Sequence, residues 1–154
     1  FAVSFYNLIP SCYSCNHVKS NKDLEYSPYD TSFSFDDVKF TYIPKSADEI
    51  EIKIISYDSD FKIGIGGLGI EELYQSHIDV VNELIWKKEV YTDSYREGLS
   101  KILNQTDLEL SAAELNRFIT GYYTDKENYG KRPLSKMVTD ISKEIGLVGE
   151  EEWN

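Results

Sequence analysis

The sequence is poor in several residue types, and each shortage narrows what the chain can be. It contains two cysteines and two histidines among 154 residues. A structural zinc site takes four ligands, commonly two Cys-x-x-Cys pairs, and only one such pair is present. No apolar run approaches the roughly 20 residues of a membrane helix, and no signal peptide is visible. These shortages predict a cytoplasmic protein without a membrane span.

Basic residues are also scarce, because 16 lysines and arginines face 27 aspartates and glutamates, for a net charge of −11. That balance argues against nucleic-acid binding over most of the surface. Residues 1–22 differ, since they hold two lysines and no acidic residue. Their charge of +2 leaves −13 for the remainder, because −11 − 2 = −13. The N-terminal stretch is therefore a basic region in an acidic chain.

That stretch also carries both cysteines, between Asn7 and Lys22. Pro10 suits the first position of a helix, where a missing N–H costs nothing. On a helix from Pro10, four polar side chains at i, i+3, i+4 and i+7 share one face; they are Cys12, Cys15, Asn16 and Lys19. Two thiols, an amide and an ammonium do not make a core face. The sequence therefore predicts a functional site here.

This spacing resembles the second half of the HNH endonuclease motif, the ββα-metal fold of many nucleases. The resemblance covers about residues 1–30, from Asn7 through the helix to the segment Ser27-Pro-Tyr-Asp30. It implies that Asn16 is a ligand of a catalytic Mg²⁺ or Mn²⁺, in the variant whose last ligand is Asn. It further implies that Asn7 positions the backbone around the general base, and that Lys19 and Lys22 contact DNA.

The first half of the motif, a strand-borne Asp-His, has no counterpart before Asn7. The family uses that His as general base and the Asp as a metal ligand. One amide oxygen does not hold Mg²⁺, which prefers octahedral oxygen ligands with one or two carboxylates. Because the chain starts at Phe1 without Met, we expect a piece of a longer parent nuclease, inactive by itself.

The same resemblance implies a structural zinc ion in the parent protein, with Cys12 and Cys15 as one half-site and an upstream Cys-x-x-Cys as the other. The alternative is a pair of free thiols, since disulfides are rare in the cytosol. His17 lies about 100° around the helix from Asn16 and so points away from the thiols. A thioredoxin-like redox role is disfavoured because no βαβ pattern surrounds the pair.

Residues 31–68 alternate polar and apolar positions, which predicts an antiparallel meander of about four strands with one buried face. The expected strands are Ser32–Phe35, Val38–Ile43, Ile50–Ile55 and Phe61–Ile65. Asp58 and Asp60 are interpreted as turn residues rather than metal ligands.

The segment Gly64-Ile-Gly-Gly-Leu-Gly69 matches the dinucleotide fingerprint G-x-G-x-x-G. A nucleotide-dependent enzyme is therefore one alternative function. The preceding meander and the lack of later βα units favour a glycine-rich turn from strand to helix instead.

Residues 69–154 are predicted to form a bundle of four helices. The first carries an apolar stripe from Ile70 to Ile85 that includes His77, interpreted as a packed core histidine. The others begin near Thr92, at the capping box Ser111-Ala-Ala-Glu114, and at Pro133. The last has a stripe of apolar residues and ends at Gly146; its members are Leu134, Met137, Val138, Ile141 and Ile145. The predicted fold class is α+β, in one compact domain.

The helical region also resembles the tail of some bacterial HNH proteins encoded beside ATPases in phage-defence operons. The segments Glu72-Leu-Tyr-Gln-Ser-His77 and Lys131-Arg-Pro-Leu-Ser-Lys136 carry this resemblance, which implies an ATPase partner. A protein-interaction module is therefore the second alternative function. It predicts a contiguous exposed apolar patch on the bundle. Arg132 and Lys136, near the start of the last helix, are interpreted as surface charges that could contact phosphate.

Overall fold

The structure is a computed structural model that describes residues 11–22, 34–46, 49–104 and 111–149. It is an α+β fold, as predicted, with one two-stranded antiparallel sheet among its described elements. Two 3₁₀ helices cover Phe35–Asp37 and Lys126–Lys131. The strands and helices are β1 Val38–Pro44, β2 Ile50–Ser56, α1 Tyr13–Lys19, α2 Ser59–Leu68, α3 Ile70–Gln75, α4 Ile78–Val90, α5 Asp93–Asn104, α6 Ala112–Thr120 and α7 Ser135–Glu144.

Strands β1 and β2 form a hairpin in which Phe40 lies opposite Ile54 and Tyr42 opposite Ile52. The predicted alternation of side chains is confirmed, because Phe40 and Ile52 are buried while Ile55 on the opposite face is exposed. One face of the hairpin therefore supplies part of the core, and the other meets solvent.

The prediction of four strands is wrong at Phe61–Ile65, which lies inside helix α2. The carbonyl of Asp58 accepts the N–H of Lys62 at 3.1 Å, a helical i to i+4 bond that starts this element. A short apolar run does not distinguish strand from helix by periodicity alone. Phe35 begins a 3₁₀ helix instead of ending a strand, and residues 32 and 33 lie outside the described residues.

Side chains from the helices cover both outer edges of the hairpin. On the β1 edge, the N–H of Phe40 donates to Asp140 Oδ2 at 2.9 Å. On the β2 edge, the N–H of Ile52 donates to Gln75 Oε1 at 3.0 Å, and Gln75 Nε2 donates to the Ile52 carbonyl at 2.6 Å. The N–H of Ile54 donates to Glu71 Oε1 at 2.9 Å. These bonds take the place of further strands at edges that would otherwise offer unpaired backbone groups.

Helix α7 lies against β1 and α4 and supplies the centre of the core. Met137, Val138 and Ile141 are fully buried, which confirms the apolar stripe predicted for this helix. Gly146 follows the helix with φ of 68°, in the left-handed conformation expected of a residue that ends a helix.

The predicted start of α7 at Pro133 is wrong, since the helix begins at Ser135. The N–H of Ser135 donates to the Arg132 carbonyl at 3.3 Å, and Leu134 has φ of 67° and ψ of −1°. This is a type II turn with proline at its second position, another position that suits the fixed φ of proline. Leu134 takes a place that favours glycine because its side chain packs against the core.

The stripe from Ile70 to Ile85 belongs to two helices, α3 and α4, rather than to one. The hydroxyl of Ser76 donates to the Leu73 carbonyl at 2.7 Å and helps to end α3. His77 occupies the N-terminal cap position of α4 and packs edge-on against Tyr74, with ring centroids 6.3 Å apart. Val81 and Leu84 are buried as expected, whereas Leu73, on α3, is exposed.

The capping box at the start of α6 is confirmed. Ser111 Oγ accepts the N–H of Glu114 at 3.3 Å, and a Glu114 carboxylate oxygen accepts the N–H of Ser111 at 2.9 Å. Helix α5 begins at Asp93, next to the predicted Thr92. No helix among the described residues has both the length and the apolar composition needed to cross a bilayer.

The hairpin carries a surface carboxylate with an unusual titration. Glu51 accepts hydrogen bonds from Lys45 Nζ at 2.6 Å and Lys53 Nζ at 2.7 Å. The bond from Lys45, followed by that from Lys53, lowers the pKa of Glu51 from 4.5 to about 2. The folded state therefore favours the ionised form, and its contribution to stability is present above pH 4.5 and is lost as the pH falls towards 2.

We expect a carboxyl ¹³C NMR titration to show Glu51 ionised at pH 3, where an ordinary glutamate is mostly protonated. Replacement Lys45→Met should raise the midpoint of Glu51 towards its ordinary value. Lys39→Met, which removes an exposed lysine elsewhere on the same hairpin, is the matched control. Equal midpoints in all three proteins would contradict the assignment of the shift to Lys45.

Candidate metal and nucleic-acid site

Helix α1 begins later than the sequence predicts. Its first residue is Tyr13, and Cys12 is its N-terminal cap, with φ of −70° and ψ of 160°. Pro10 lies outside the described residues. Cys12 Sγ accepts the N–H of Cys15 at 3.4 Å, and the Cys12 carbonyl accepts the N–H of Asn16 at 3.0 Å. The thiol thus serves as the side-chain acceptor for the unpaired N–H groups at a helix start. This cap explains why the helix begins at Tyr13 rather than at Pro10.

The two thiols are exposed and differ in acidity. The hydrogen bond from the backbone N–H of Cys15 lowers the pKa of Cys12. The hydrogen bond with the Cys12 side chain, and then the charge of that side chain, raise the pKa of Cys15. Cys12 therefore loses its proton first. Because the thiolate is the nucleophile and the metal ligand, Cys12 is the more reactive member of the pair.

The remaining members of the predicted face also lie on α1, and no residue of this helix is buried. Asn16 is exposed, and its backbone carbonyl accepts the N–H of Ser20 at 2.9 Å. Lys19 is half-buried and its ammonium lies 3.5 Å from the Lys22 carbonyl. His17 stacks on Tyr13, with centroids 5.9 Å apart. Packing into a core therefore does not explain why these residue types occur on this helix.

Lys22 attaches this segment to α2. Its ammonium donates to the Gly67 carbonyl at 2.6 Å, at the C-terminal end of α2. The last carbonyls of a helix have no partner within the helix and carry partial negative charge, so a lysine binds there favourably. The sequence predicts a phosphate contact for Lys22. A phosphate would have to compete with this hydrogen bond for the ammonium.

A metal ion needs more ligands than the described part of α1 offers. Cys12 and Cys15 provide two sulfur ligands, and the Asn16 amide provides one oxygen. In the described ranges no group of three or more His, Cys, Asp or Glu side chains comes together. This donor set fits half of a four-ligand zinc site and one position of a magnesium site. Asn7, the other predicted site residue, lies outside the described residues.

The glycine segment does not form the turn that a dinucleotide fingerprint needs. Gly64, Gly66 and Gly67 lie within α2, and Gly69, with φ of 64°, separates α2 from α3. A Cβ atom added at Gly64, Gly66 or Gly67 would meet no atom within 4 Å. These glycines are therefore not required for a close backbone approach, and the interpretation as a nucleotide site loses its structural basis.

Two predicted surface cations have partners within the protein. Lys136 Nζ lies 2.6 Å from Asp140 Oδ2, and Arg132 donates a hydrogen bond to the Gly121 carbonyl. Asp58, considered as a turn residue, accepts the N–H of Lys62 through its carbonyl and accompanies the start of α2. The side chain of Asp60 is not among those that the structure describes.

Comparison of the chain with protein-family models, curated proteins and solved structures gives no match. The assignment of function rests on α1 itself. The spacing of its thiols and its amide predicts a site there. The arginines and tyrosines around the end of α6 were not predicted; the adjacent pair Tyr122 and Tyr123, between two arginines, is the signal for them.

Proposed function

We propose that the N-terminal segment is the second half of an HNH-type site in a metal-dependent endonuclease that hydrolyses phosphodiester bonds in DNA. The observation that carries the proposal is that Cys15, Asn16 and Lys19 lie on a helix with no buried residue, and that Cys12 caps its start. A helix that contributes nothing to a core is suited to a site completed by other residues.

In this proposal Asn16 supplies one oxygen to Mg²⁺ or Mn²⁺, and Asn7 positions the backbone near the general base. Cys12 and Cys15 supply half of a structural zinc site, in which Cys12, whose pKa is lowered by the backbone N–H of Cys15, is the thiol that loses its proton to the metal more readily. The motif also needs a strand-borne general base, a carboxylate ligand and a second thiol pair, for which the segment from Asn7 to Lys22 has no residues. The 154-residue chain alone is therefore expected not to cleave DNA.

The test uses the protein expressed from its own gene, so that any residues encoded before Phe1 are present. We expect Mg²⁺- or Mn²⁺-dependent nicking of supercoiled plasmid, and Asn16→Ala should lower its rate by at least about 10- to 100-fold, the loss typical of a group that only supports a metal ligand. Ser14→Ala, an exposed position on the same helix but not on the same face, is the matched control and should keep full activity.

The proposal fails if the gene product shows no metal-dependent nicking, or if Asn16→Ala and Ser14→Ala have the same activity. The thiol pair is tested separately by adding Co²⁺ under reducing conditions. Thiolate coordination gives intense charge-transfer absorption. Cys12→Ser should reduce this absorption, whereas Asn16→Ala should leave it unchanged.

A second function, a protein-interaction module, is favoured by exposed apolar side chains on α4. Trp86 is 61% exposed and Val90, one turn later, is 44% exposed. Exposed tryptophan is enriched at protein interfaces. The resemblance of the helical region predicts an ATPase as the partner. We expect the two purified proteins to form a complex that Trp86→Ser weakens, and an unchanged affinity would exclude this face.

A further inference from the structure

Two adjacent tyrosines after α6 each have a cation over the ring. The Arg117 guanidinium lies 4.2 Å from the ring centroid of Tyr123, and Lys131 Nζ lies 5.7 Å from the same centroid. The Arg132 guanidinium lies 4.3 Å from the centroid of Tyr122. We call Arg117, Tyr122, Tyr123, Lys131 and Arg132 the basic-aromatic cluster. Cation–π contacts of this length place the three cations over two neighbouring rings on the surface.

The backbone beneath the cluster is well fixed. Gly121 ends α6 with φ of 80°, and its N–H donates to the Arg117 carbonyl at 2.7 Å. This left-handed residue turns the chain so that the two tyrosines follow directly on the end of the helix. The hydroxyl of Thr120 accepts the N–H of Tyr122 at 3.1 Å. A ligand would therefore meet side chains that are already ordered.

The cations of the cluster are exposed, and unlike other cations of the same segment they form no ion pair among the described residues. Arg117, Lys131 and Arg132 have no carboxylate within salt-bridge distance among the described residues, whereas Lys126 and Lys136 pair with aspartates. Two acidic side chains on the same segments accept hydrogen bonds from other groups. Glu114 accepts hydrogen bonds from Ser111, and Asp125 accepts one from Asn128.

The charge of this segment stands out against the whole chain. Residues 117–136 contain five basic and two acidic residues, for a charge of +3. The other residues then carry −14, because −11 − 3 = −14. An acidic surface repels a polyanion, so a local positive patch determines where one can bind. Together with the exposed ring of Phe118, 67% accessible next to Arg117, the segment combines cations with planar groups.

We propose that the basic-aromatic cluster binds a single strand of DNA, with Arg117, Lys131 and Arg132 contacting phosphates and the planar side chains contacting bases. Guanidinium groups bind phosphate with two parallel hydrogen bonds. Single-strand binding surfaces typically combine a basic groove with aromatic rings and arginine planes on which bases stack. The inference rests on the proposed function in that it names a second contact with DNA, away from the metal site.

The test measures binding of the full chain to a fluorescein-labelled 20-nucleotide single strand by anisotropy, in EDTA so that no cleavage occurs. We expect affinity to fall with salt, with a slope of about −0.7 for each phosphate contact in log Kobs against log[salt]. The double variant Arg117→Gln/Lys131→Gln should bind at least about tenfold more weakly at low salt, and its slope should be smaller by about 1.4.

The matched control is Lys39→Gln/Lys101→Gln, which removes the same charge from exposed lysines on β1 and α5. It should bind almost as well as the unmodified chain, and circular dichroism should show both doubles folded. Absence of binding by the unmodified chain, or equal losses in the two doubles, would overturn the inference. Binding is measured without metal and nicking only with it, so failure of the cluster and failure of the proposed nuclease site are separate results.

Discussion

Replacement of Lys136 by methionine is expected to lower the free energy of unfolding by about 3 kcal/mol, because it leaves a buried carboxylate without its counter-charge. Lys136 Nζ lies 2.7 and 2.6 Å from the two carboxylate oxygens of Asp140. The side chains are only 18% and 10% accessible, so water solvates the carboxylate poorly once the ammonium is removed. Asp140 also accepts the N–H of Phe40, which joins α7 to the edge of β1.

Urea unfolding at pH 7 measures this loss, and two further variants separate its causes. Lys136→Met/Asp140→Asn removes the buried charge but keeps an oxygen acceptor for the Phe40 N–H, and should recover most of the stability. Lys143→Met, at an exposed position of the same helix, should change stability by less than about 0.5 kcal/mol. A Lys136→Met protein as stable as the Lys143→Met protein would show that the buried pair contributes little.

The parts of the fold that could be predicted are those specified within a few residues. The capping box at Ser111 needs only Glu114, three positions later. The stripe of α7 and the alternation of β2 also repeat within one element. Periodicity did not separate strand from helix for the five residues from Phe61 to Ile65, because both structures suit a short apolar run with glycines.

Errors arose where a contact distant in sequence decided the local structure. Proline fits the first turn of a helix and the second position of a β-turn equally well, and the packing of Leu134 against the core selects the turn at Pro133. Lys22 binds the Gly67 carbonyl, 45 residues away, and no feature of residues 1–22 indicates that partner. For the candidate site, spacing predicted that Asn16 and the thiols lie together at one helix. It did not predict which residues lie against that helix.

The outer edge of β2 is a further place where a contact distant in sequence decides the structure. Sequence alternation predicted about four strands. In the structure the sheet has two strands, and side chains from the helices bond to its outer edges in place of further strands. Gln75 is central, because its amide accepts the N–H of Ile52 and donates to the carbonyl of the same residue. It therefore copies the pair of hydrogen bonds that a neighbouring strand would make. Gln75→Leu should lower the free energy of unfolding by about 2 kcal/mol, since two partly buried backbone groups lose their partner.

Glu71→Gln is the matched control, because a glutamine oxygen can still accept the N–H of Ile54. It loses only the attraction to Lys53, which lies 3.6 Å away at a partly exposed position and contributes well below 1 kcal/mol. Urea unfolding should therefore separate the two variants, and sedimentation velocity should show self-association of Gln75→Leu alone, since an open strand edge pairs with another chain. If both variants unfold at the same urea concentration and remain monomeric, Gln75 does not protect the edge, and burial of Ile52 by the helices is sufficient to hold β2 in place.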